Sequence, residues 1–170
     1  MADARKIMLL GDIGVGKTSL ARRLVLGHFD QAYKATIGVD IYTHDVVADL
    51  RGEAIPVTLV IWDLDGDLGE SIFAHPYIRG ASGALVISDR TRPSTLSSML
   101  SLAGGFTEAL PGRPCRLIVN KSDLAAADGD PIERARAATR EPILETSAKS
   151  GGNVGVAFES LATEILARGL

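Results

Sequence analysis

The sequence is poor in cysteine and has little excess of charge of either sign. Cys115 is the only cysteine among 170 residues, so no internal disulfide can form, and we expect a protein of the reducing cytoplasm. No apolar run approaches the roughly 18 residues of a membrane span, and neither a secretory signal nor a C-terminal cysteine for a lipid anchor is present. The net charge of −3 gives no indication of a nucleic-acid partner, and the length predicts a single domain over residues 1–170.

A glycine-rich stretch at residues 11–18, GDIGVGKT, fits the G-x-x-x-x-G-K-[ST] pattern of a phosphate-binding loop, or P-loop. An apolar run precedes it, and a run with Leu20 and Leu24 on one face follows it, which predicts a strand before the loop and a helix after it. Glycines let backbone N–H groups point at phosphate oxygens. Lys17 would supply a positive charge to the β- and γ-phosphates, and the Thr18 hydroxyl can reach a Mg²⁺ ion. The predicted phosphate-binding residues are Gly14, Val15, Gly16, Lys17, Thr18 and Ser19.

The rest of the chain alternates between strand-like and helix-like patterns. Strands are predicted over residues 6–10, 42–50, 55–64, 84–89, 116–119 and 143–145. Helices are predicted over residues 19–26, 95–110, 131–139 and 154–167, with a short helix within 68–79. Pro76 should break that short helix, and Gly104-Gly105 should weaken the helix over 95–110. Because a short turn joins strands 42–50 and 55–64, the first of them runs antiparallel. The pattern predicts an α/β fold with a six-stranded mixed sheet, one antiparallel strand and helices on both faces.

Three further polar segments begin where predicted strands end, at residues 63–66, 120–123 and 147–149. In sheets of this type, ligands bind at the carboxyl ends of the strands, so these segments should converge with the P-loop. Asp63 is well placed to hold Mg²⁺ through water, and Gly66 can bring a backbone N–H close to a phosphate.

The connection at residues 28–40 is long for a compact domain, and such loops are usually functional. Phe29, Tyr33 and Thr36 are the candidate functional residues in this loop. Taken alone, each of the three is more often an ordinary packing or turn residue than a functional one.

Together, these motifs resemble those of the Ras superfamily of small GTPases, and of its Rab branch in particular. Residues 11–18, D-x-x-G at 63–66, N-K-x-D at 120–123 and S-A-K at 147–149 match the family's motifs, and Trp62 and Tyr77 resemble Rab sequences. The resemblance implies a P-loop NTPase G domain that binds GTP and GDP with Mg²⁺ and hydrolyses GTP. It also implies switch loops at residues 28–40 and 66–79 that bind protein effectors and regulators. We expect the protein to be a monomer.

The resemblance also implies a role for each matching residue. Thr36, nineteen residues after Lys17, would coordinate Mg²⁺ together with Thr18 and Asp63. The Asp123 carboxylate can accept two N–H donors from guanine that adenine lacks, so ATP should be rejected. The residues implied to contact the base or its surroundings are Phe29, Tyr33, Asn120, Lys121, Asp123, Ser147, Ala148 and Lys149. The residues implied to act in catalysis are Lys17, Thr36, Gly66 and Asp67.

Some positions depart from the family's pattern. Asp67 stands where a glutamine orients the attacking water, and Ile13 is branched where relatives usually have a small residue. An ionised carboxylate accepts hydrogen bonds but cannot donate one, so we expect slow GTP hydrolysis. Alanine-rich helices and the missing lipidated tail favour a prokaryotic relative or a shortened chain.

Two alternatives to a slow GTPase switch remain open at this point. Asp67 and Ile13 also suit a scaffold module that holds GTP and hardly hydrolyses it. A P-loop kinase acting on a small molecule would need an acceptor site and an arginine-rich lid, and it does not predict N-K-x-D at residues 120–123. Identifying the nucleotide that co-purifies, and timing its turnover, separates these functions.

Overall fold

The computed structural model describes residues 3–32, 37–64, 66–126 and 131–170, with strands and helices in the predicted order. The strands are β1 (Asp3–Leu10), β2 (Val39–Leu50), β3 (Glu53–Leu64), β4 (Gly83–Asp89), β5 (Cys115–Asn120) and β6 (Ile143–Glu145). The α-helices are α1 (Lys17–Leu26), α2 (Pro93–Ala109), α3 (Pro131–Ala138) and α4 (Val154–Ala167), and 3₁₀ helices cover Gly66–Ala74 and Pro76–Ile78. Tyr33, Thr36 and Asp65 lie outside the described residues.

The strands form a six-stranded sheet in the order β2-β3-β1-β4-β5-β6. β2 pairs antiparallel with β3, and all the other neighbouring strands pair in parallel, which confirms the predicted mixed sheet. Because β1 lies in the interior of the sheet, the loop that follows it lies near the middle of the carboxyl edge. Ligands of such sheets bind at this edge.

Different helices cover the two faces of the sheet. Along β1, Ile7 and Leu9 pack with α1 and α4, whereas Met8 and Leu10 pack with α2 and the 3₁₀ helix Gly66–Ala74. Successive side chains of a strand point to opposite faces, so a strand covered on both sides needs apolar residues at every position. This explains why the second half of β1, residues 7–10, is a continuous apolar run. Cys115 is buried on the same face of the sheet as Met8 and Leu10, and burial raises the pKa of its thiol.

The hairpin of β2 and β3 is longer than predicted. Val39 and Asp40 already pair with Leu64 and Asp63 across the hairpin. The predicted switch loop at residues 28–40 is therefore wrong at its C-terminal end, because its last two residues belong to β2. Pairing with β3 determines this boundary, and local sequence does not reveal it.

The segment after β3 differs from the predicted short helix in type. It forms the 3₁₀ helix Gly66–Ala74, which is interrupted at Gly69 (φ 47°), and a second 3₁₀ turn that begins at Pro76. The predicted break is present next to Pro76, which takes the first position of the new turn. Its fixed φ and missing N–H suit that position. The backbone N–H of Tyr77 donates to the His75 ring at 3.3 Å and caps the turn.

Helix α2 is continuous, although Gly104 and Gly105 both lie inside it. A β-carbon at Gly105 would lie 2.3 Å from Cε2 of Phe73, whereas one at Gly104 would meet nothing within 4 Å. Nearby, the Ser101 hydroxyl donates a hydrogen bond to Glu70. Gly105 therefore allows the 3₁₀ helix Gly66–Ala74 to pack closely on α2. The sequence had indicated only a weak point in the helix.

Candidate nucleotide-binding site

A cavity of about 550 Å³ opens at the carboxyl edge of the sheet. Its lining includes the predicted residues Gly14, Gly16, Lys17, Thr18, Ser19, Phe29, Gly66, Asp67, Asn120, Lys121, Asp123, Ala148 and Lys149. Val15, Asp63 and Ser147 are buried and do not line the cavity. Segments that are far apart in sequence thus meet at one edge of the sheet. Tyr33 and Thr36 are the predicted site residues that lie outside the described part of the chain.

The P-loop curves tightly, and its glycines at positions 11 and 16 lie too close to neighbouring atoms for a side chain to fit. A β-carbon at Gly11 would lie 2.3 Å from the Ile87 carbonyl oxygen, and one at Gly16 would lie 2.3 Å from Nδ2 of Asn120. Gly16 has a φ of 106°, in the region that favours glycine, and α1 begins at the next residue. The N-terminal N–H groups of α1 are therefore presented to the cavity, where they favour an anion.

Lys17 has its ammonium group held over the loop. Nζ donates to the carbonyl oxygens of Gly11 at 2.8 Å and Asp12 at 3.0 Å. The side chain is only 7% exposed but lines the cavity. A lysine held in this way places a positive charge beside the P-loop in the cavity lining.

The buried Asp63 and the half-buried Thr18, which follows Lys17 in the sequence, bring oxygen atoms together. The Thr18 hydroxyl donates to Oδ2 of Asp63 at 2.5 Å, and Oδ1 of Asp63 is buried without a hydrogen-bond partner among the described residues. Burial raises the pKa of Asp63, although the hydrogen bond from Thr18 and the charge of Lys17 act in the opposite direction. A buried carboxylate oxygen without a partner, next to a hydroxyl, fits a Mg²⁺ ion, which prefers hard oxygen ligands.

Gly66 brings the segment after β3 against the P-loop. A β-carbon at Gly66 would lie 2.6 Å from the backbone nitrogen of Ile13. The next residue, Asp67, is exposed and lines the cavity, as does Ile13, whose side chain is 41% exposed. The two positions that depart from the family's pattern therefore both line the cavity where Gly66 meets the P-loop.

Asn120 connects the P-loop with the loop after β6. Its Nδ2 donates to the Val15 carbonyl at 3.0 Å, and its Oδ1 accepts from the Thr146 hydroxyl at 3.1 Å and the Ala148 N–H at 3.3 Å. The side chain is buried, at 2% exposure. Asn120 thus fixes the relative positions of two loops that line the cavity.

Asp123 lines the cavity from the loop that follows β5. Its Oδ1 accepts a hydrogen bond from the Ser147 hydroxyl at 2.7 Å, while the residue itself is exposed and lines the cavity. Ser147 is buried and also accepts from the Ser150 N–H at 3.0 Å. Ser147 therefore orients the carboxylate.

Sequence reasoning missed a charged cluster beside Lys121. Nζ of Lys121 donates to Oδ2 of Asp89 at 2.7 Å, and Nε of Arg92 donates to the same oxygen at 3.0 Å. Burial alone would raise the pKa of Asp89, but hydrogen bonds from Lys121, Thr91 and Arg92 outweigh it and hold the pKa below its ordinary value. The one available signal was the position of Asp89 at the carboxyl end of a buried strand.

Sequence reasoning also missed Arg22, which lines the cavity one helical turn after Thr18.

The fold and the cavity define a class of protein: a P-loop nucleotide-binding domain with a guanine-type base motif at the carboxyl edge of its sheet. The family model of the Ras family matches residues 6–167. Ras-related protein Rab-13 of Bos taurus is 36% identical over 165 residues, which cover 95% of this chain and 79% of the relative. Rab-25 of Oryctolagus cuniculus is 36% identical over 167 residues, covering 96% and 76%. GTP-binding protein ypt3 of Schizosaccharomyces pombe is 33% identical over 164 residues, covering 94% and 75%.

The chain belongs to the Ras family and is a Rab-like small GTPase. Proteins of this family are GTP-hydrolysing enzymes that act as guanine-nucleotide switches, generally with Mg²⁺, and the chain is an enzyme of this kind. Within the described part of the chain, no helix is long and apolar enough to cross a membrane.

Proposed function

We propose that this protein is a GTP/GDP switch with slow intrinsic hydrolysis, built as one G domain over residues 1–170 and acting as a monomer. The observation that carries the proposal is the placement of Asp67. This exposed carboxylate lines the phosphate end of the cavity, directly after the glycine that touches the P-loop at Ile13. A glutamine at this place can accept from water and donate to the transferring group, whereas an ionised carboxylate only accepts.

The proposed metal ligands are Thr18 and Asp63, with Thr36 from the part of the chain outside the described residues. The buried Oδ1 of Asp63, without a partner among the described residues, and the adjoining Thr18 hydroxyl support this assignment. When bound, Mg²⁺ would neutralise charge on the β- and γ-phosphate oxygens. Lys17 would do the same from the P-loop side.

The proposed base site is formed by Asp123, Ala148 and Lys121. The Asp123 carboxylate, oriented by Ser147, would accept the two N–H donors of guanine. The Ala148 N–H, which donates to Oδ1 of Asn120 at 3.3 Å, would be shared with the carbonyl oxygen of the base. Adenine would leave the carboxylate without donors, which costs about 1–3 kcal/mol or more for a charged group. Phe29, which lines the same cavity, would pack against the edge of the base.

The proposed surface for effectors and regulators comprises the first switch loop, shortened to residues 28–38 because β2 begins at Val39, and the second at residues 66–79. Within the second loop, the 3₁₀ helix Gly66–Ala74 touches the P-loop through Gly66 and α2 through Phe73. A segment with these two contacts is suited to report the occupancy of the phosphate site. This assignment rests on the resemblance to the family together with those contacts.

Single-turnover GTP hydrolysis at neutral pH tests the proposal. We expect Asp67→Gln to hydrolyse GTP about tenfold faster than the wild type, because it restores a donor and removes a carboxylate that would repel the γ-phosphate. Glu70→Gln is the matched control, since Glu70 is a neighbouring carboxylate that accepts a hydrogen bond from Ser101 and does not line the cavity. An unchanged or slower rate in Asp67→Gln would contradict the proposed cause of slow hydrolysis.

The second candidate function is a GTP-holding scaffold, and the exposed Ile13 side chain in the cavity lining favours it. A branched residue there would obstruct a helper arginine. If GTP stays intact on the wild type and on Asp67→Gln, and only the double variant with Ile13→Gly hydrolyses it, the block lies in the P-loop. In that case the scaffold is the better description.

A further inference from the structure

We propose that Arg92 is a positioning residue of the phosphate site, and that it acts by orienting the peptide group between Ile13 and Gly14. The inference rests on the proposed function in one respect, because it requires that GDP binds in the cavity. It adds a residue from the turn between β4 and α2, which lies outside the motifs that the sequence analysis identified.

The guanidinium of Arg92 bridges two fixed groups. Its Nη2 donates to the Ile13 carbonyl oxygen at 2.8 Å, and its Nε donates to Oδ2 of Asp89 at 3.0 Å. The Asp89 side chain is 1% exposed, so it provides a rigid anchor. Because the guanidinium is planar and its donors have fixed directions, binding Asp89 through Nε also fixes the direction of Nη2. Pro93 follows immediately and restricts the backbone of Arg92.

The hydrogen bond to Ile13 determines where the next N–H points. In a trans peptide unit, the C=O of one residue and the N–H of the next point in opposite directions. The described residues contain no cis peptide bond, so holding the Ile13 carbonyl towards Arg92 turns the Gly14 N–H the other way. Gly14 lines the cavity, whereas Arg92 does not. The arginine therefore aims a phosphate-binding donor without touching the phosphate.

The same cluster allows the arginine to be removed without unfolding its surroundings. Oδ2 of Asp89 also accepts from Lys121, and Oδ1 accepts from the N–H of Thr91 at 2.8 Å and from its hydroxyl at 2.7 Å. Asp89 thus stays paired when Arg92 is replaced. The Ile13–Gly14 peptide group then loses its hydrogen bond from Arg92 and can rotate.

The experiment compares Arg92→Gln and Arg92→Lys with Arg90→Gln as the matched control. Arg90 lies in the same turn, but its guanidinium donates to Glu145 at 2.9 Å. The measurements are the dissociation constants for GDP and for inosine diphosphate, the chemical shift of the Gly14 amide proton in the GDP complex, and the melting temperature. Inosine diphosphate keeps both phosphates and lacks the exocyclic amino group of guanine, so the ratio of the two constants reports on the base site alone.

For Arg92→Gln we expect an affinity for GDP about tenfold lower, as one charge-assisted hydrogen bond would give. The ratio of GDP to inosine diphosphate affinity should not change, the Gly14 amide proton should move upfield, and the melting temperature should stay as in the wild type. Arg92→Lys should restore part of the affinity, because the ammonium can still reach the Ile13 carbonyl. Arg90→Gln should behave as the wild type.

Three outcomes of the affinity measurements would overturn the inference. These are an unchanged affinity in Arg92→Gln, an equal loss in Arg90→Gln, or a changed GDP to inosine diphosphate ratio, which would mean that Arg92 acts on the base through Asp89 and Lys121. An unmoved Gly14 resonance alongside weaker GDP binding would also contradict it. Failure of the wild type to bind GDP is a separate result, and it would refute the proposed function instead.

Discussion

At the scale of single residues, Gly66 determines how closely the segment after β3 can approach the P-loop. A β-carbon there would meet the backbone nitrogen of Ile13 at 2.6 Å, and backbone atoms cannot move aside as a flexible side chain can. We expect Gly66→Ala to lower the single-turnover rate of GTP hydrolysis roughly 10- to 100-fold, because the segment is displaced from the transferring phosphate.

Binding of GDP, measured by equilibrium titration, should remain close to the wild type in Gly66→Ala. Gly104→Ala, which introduces a methyl group into open space, is the control and should leave both measurements unchanged. A hydrolysis rate in Gly66→Ala within about twofold of the wild type would show that the contact has no part in the reaction, since a factor of two is well under 1 kcal/mol.

Asp63 illustrates how a binding site can lower the stability of the empty protein. Its pKa is raised by burial, so the folded, metal-free protein takes up a proton more readily than the unfolded chain does. The stabilisation from that proton is present at low pH and is lost as the pH rises through the raised pKa. Without metal and nucleotide, Asp63→Asn should therefore be more stable than the wild type at neutral pH, by about 1 kcal/mol.

Thermal unfolding in EDTA at several pH values measures this difference, and the advantage of Asp63→Asn should shrink as the pH falls. With Mg²⁺ and GDP added, the wild type should instead have the higher melting temperature, because the variant lacks a metal ligand. Equal melting temperatures across the whole pH range would show that the Asp63 carboxylate does not destabilise the metal-free protein.

At the scale of secondary-structure elements, α2 offers a paired test of its two glycines. Gly104→Ala should stabilise the protein by about 0.5–1 kcal/mol, the ordinary gain from replacing glycine by alanine within a helix. Gly105→Ala should instead displace the Phe73 ring and loosen the 3₁₀ helix Gly66–Ala74, because the new methyl group would lie 2.3 Å from Cε2.

Hydrogen exchange of the amides in residues 66–74 checks the second effect, and thermal unfolding checks the first. The double variant Phe73→Ala, Gly105→Ala should show no further loosening relative to Phe73→Ala alone, since the ring that clashes is gone. Faster exchange in Gly104→Ala as well would mean that the helix, and not the ring contact, controls this segment.

The elements that sequence predicts well are those whose pattern is local. The strand β1, the P-loop and α1 could be placed because an apolar run, a glycine motif and an amphipathic run follow one another in 25 residues or so. The start of β2 was missed because it depends on pairing with the end of β3. Similarly, Gly104-Gly105 looked like a weakness because the ring that contacts Gly105 belongs to another element.

The same distinction holds within the site. Asp63, Asn120 and Asp123 were found because each lies in a short motif at a strand end. Arg92 was not found, because the carbonyl it binds lies 79 positions away and a backbone oxygen carries no sequence signature. Local motifs single out residues by their spacing, whereas a hydrogen bond to a distant backbone oxygen becomes visible only in three dimensions.

At the scale of the whole molecule, nucleotide selectivity should appear as a change in global stability. Because the ligand binds only the folded state, 100-fold excess over its dissociation constant adds about 2.7 kcal/mol, or roughly 5–10 °C in melting temperature at this size. We expect this increase with GDP and Mg²⁺ and none with ADP. Lys17→Ala should abolish it, and Asp123→Ala should remove the difference between the two nucleotides.

Differential scanning fluorimetry of the wild type and both variants makes the comparison. Glu53→Gln, an exposed change at the start of β3 and away from the cavity, serves as a control and should respond like the wild type. Equal shifts with GDP and ADP in the wild type would show that Asp123 does not select the base.

The site draws on segments that are spread along almost the whole chain, from Gly11 to Lys149, and Asn120 joins the first of them to the last. This arrangement has a consequence for biosynthesis. A nascent chain that has not yet produced Ala148 lacks the amide that binds Oδ1 of Asn120, so the nucleotide has no complete site on it. GDP should therefore stabilise the finished domain more than a shorter nascent chain. Stabilisation by the bound nucleotide would begin only late in synthesis. Prematurely terminated chains would not gain it.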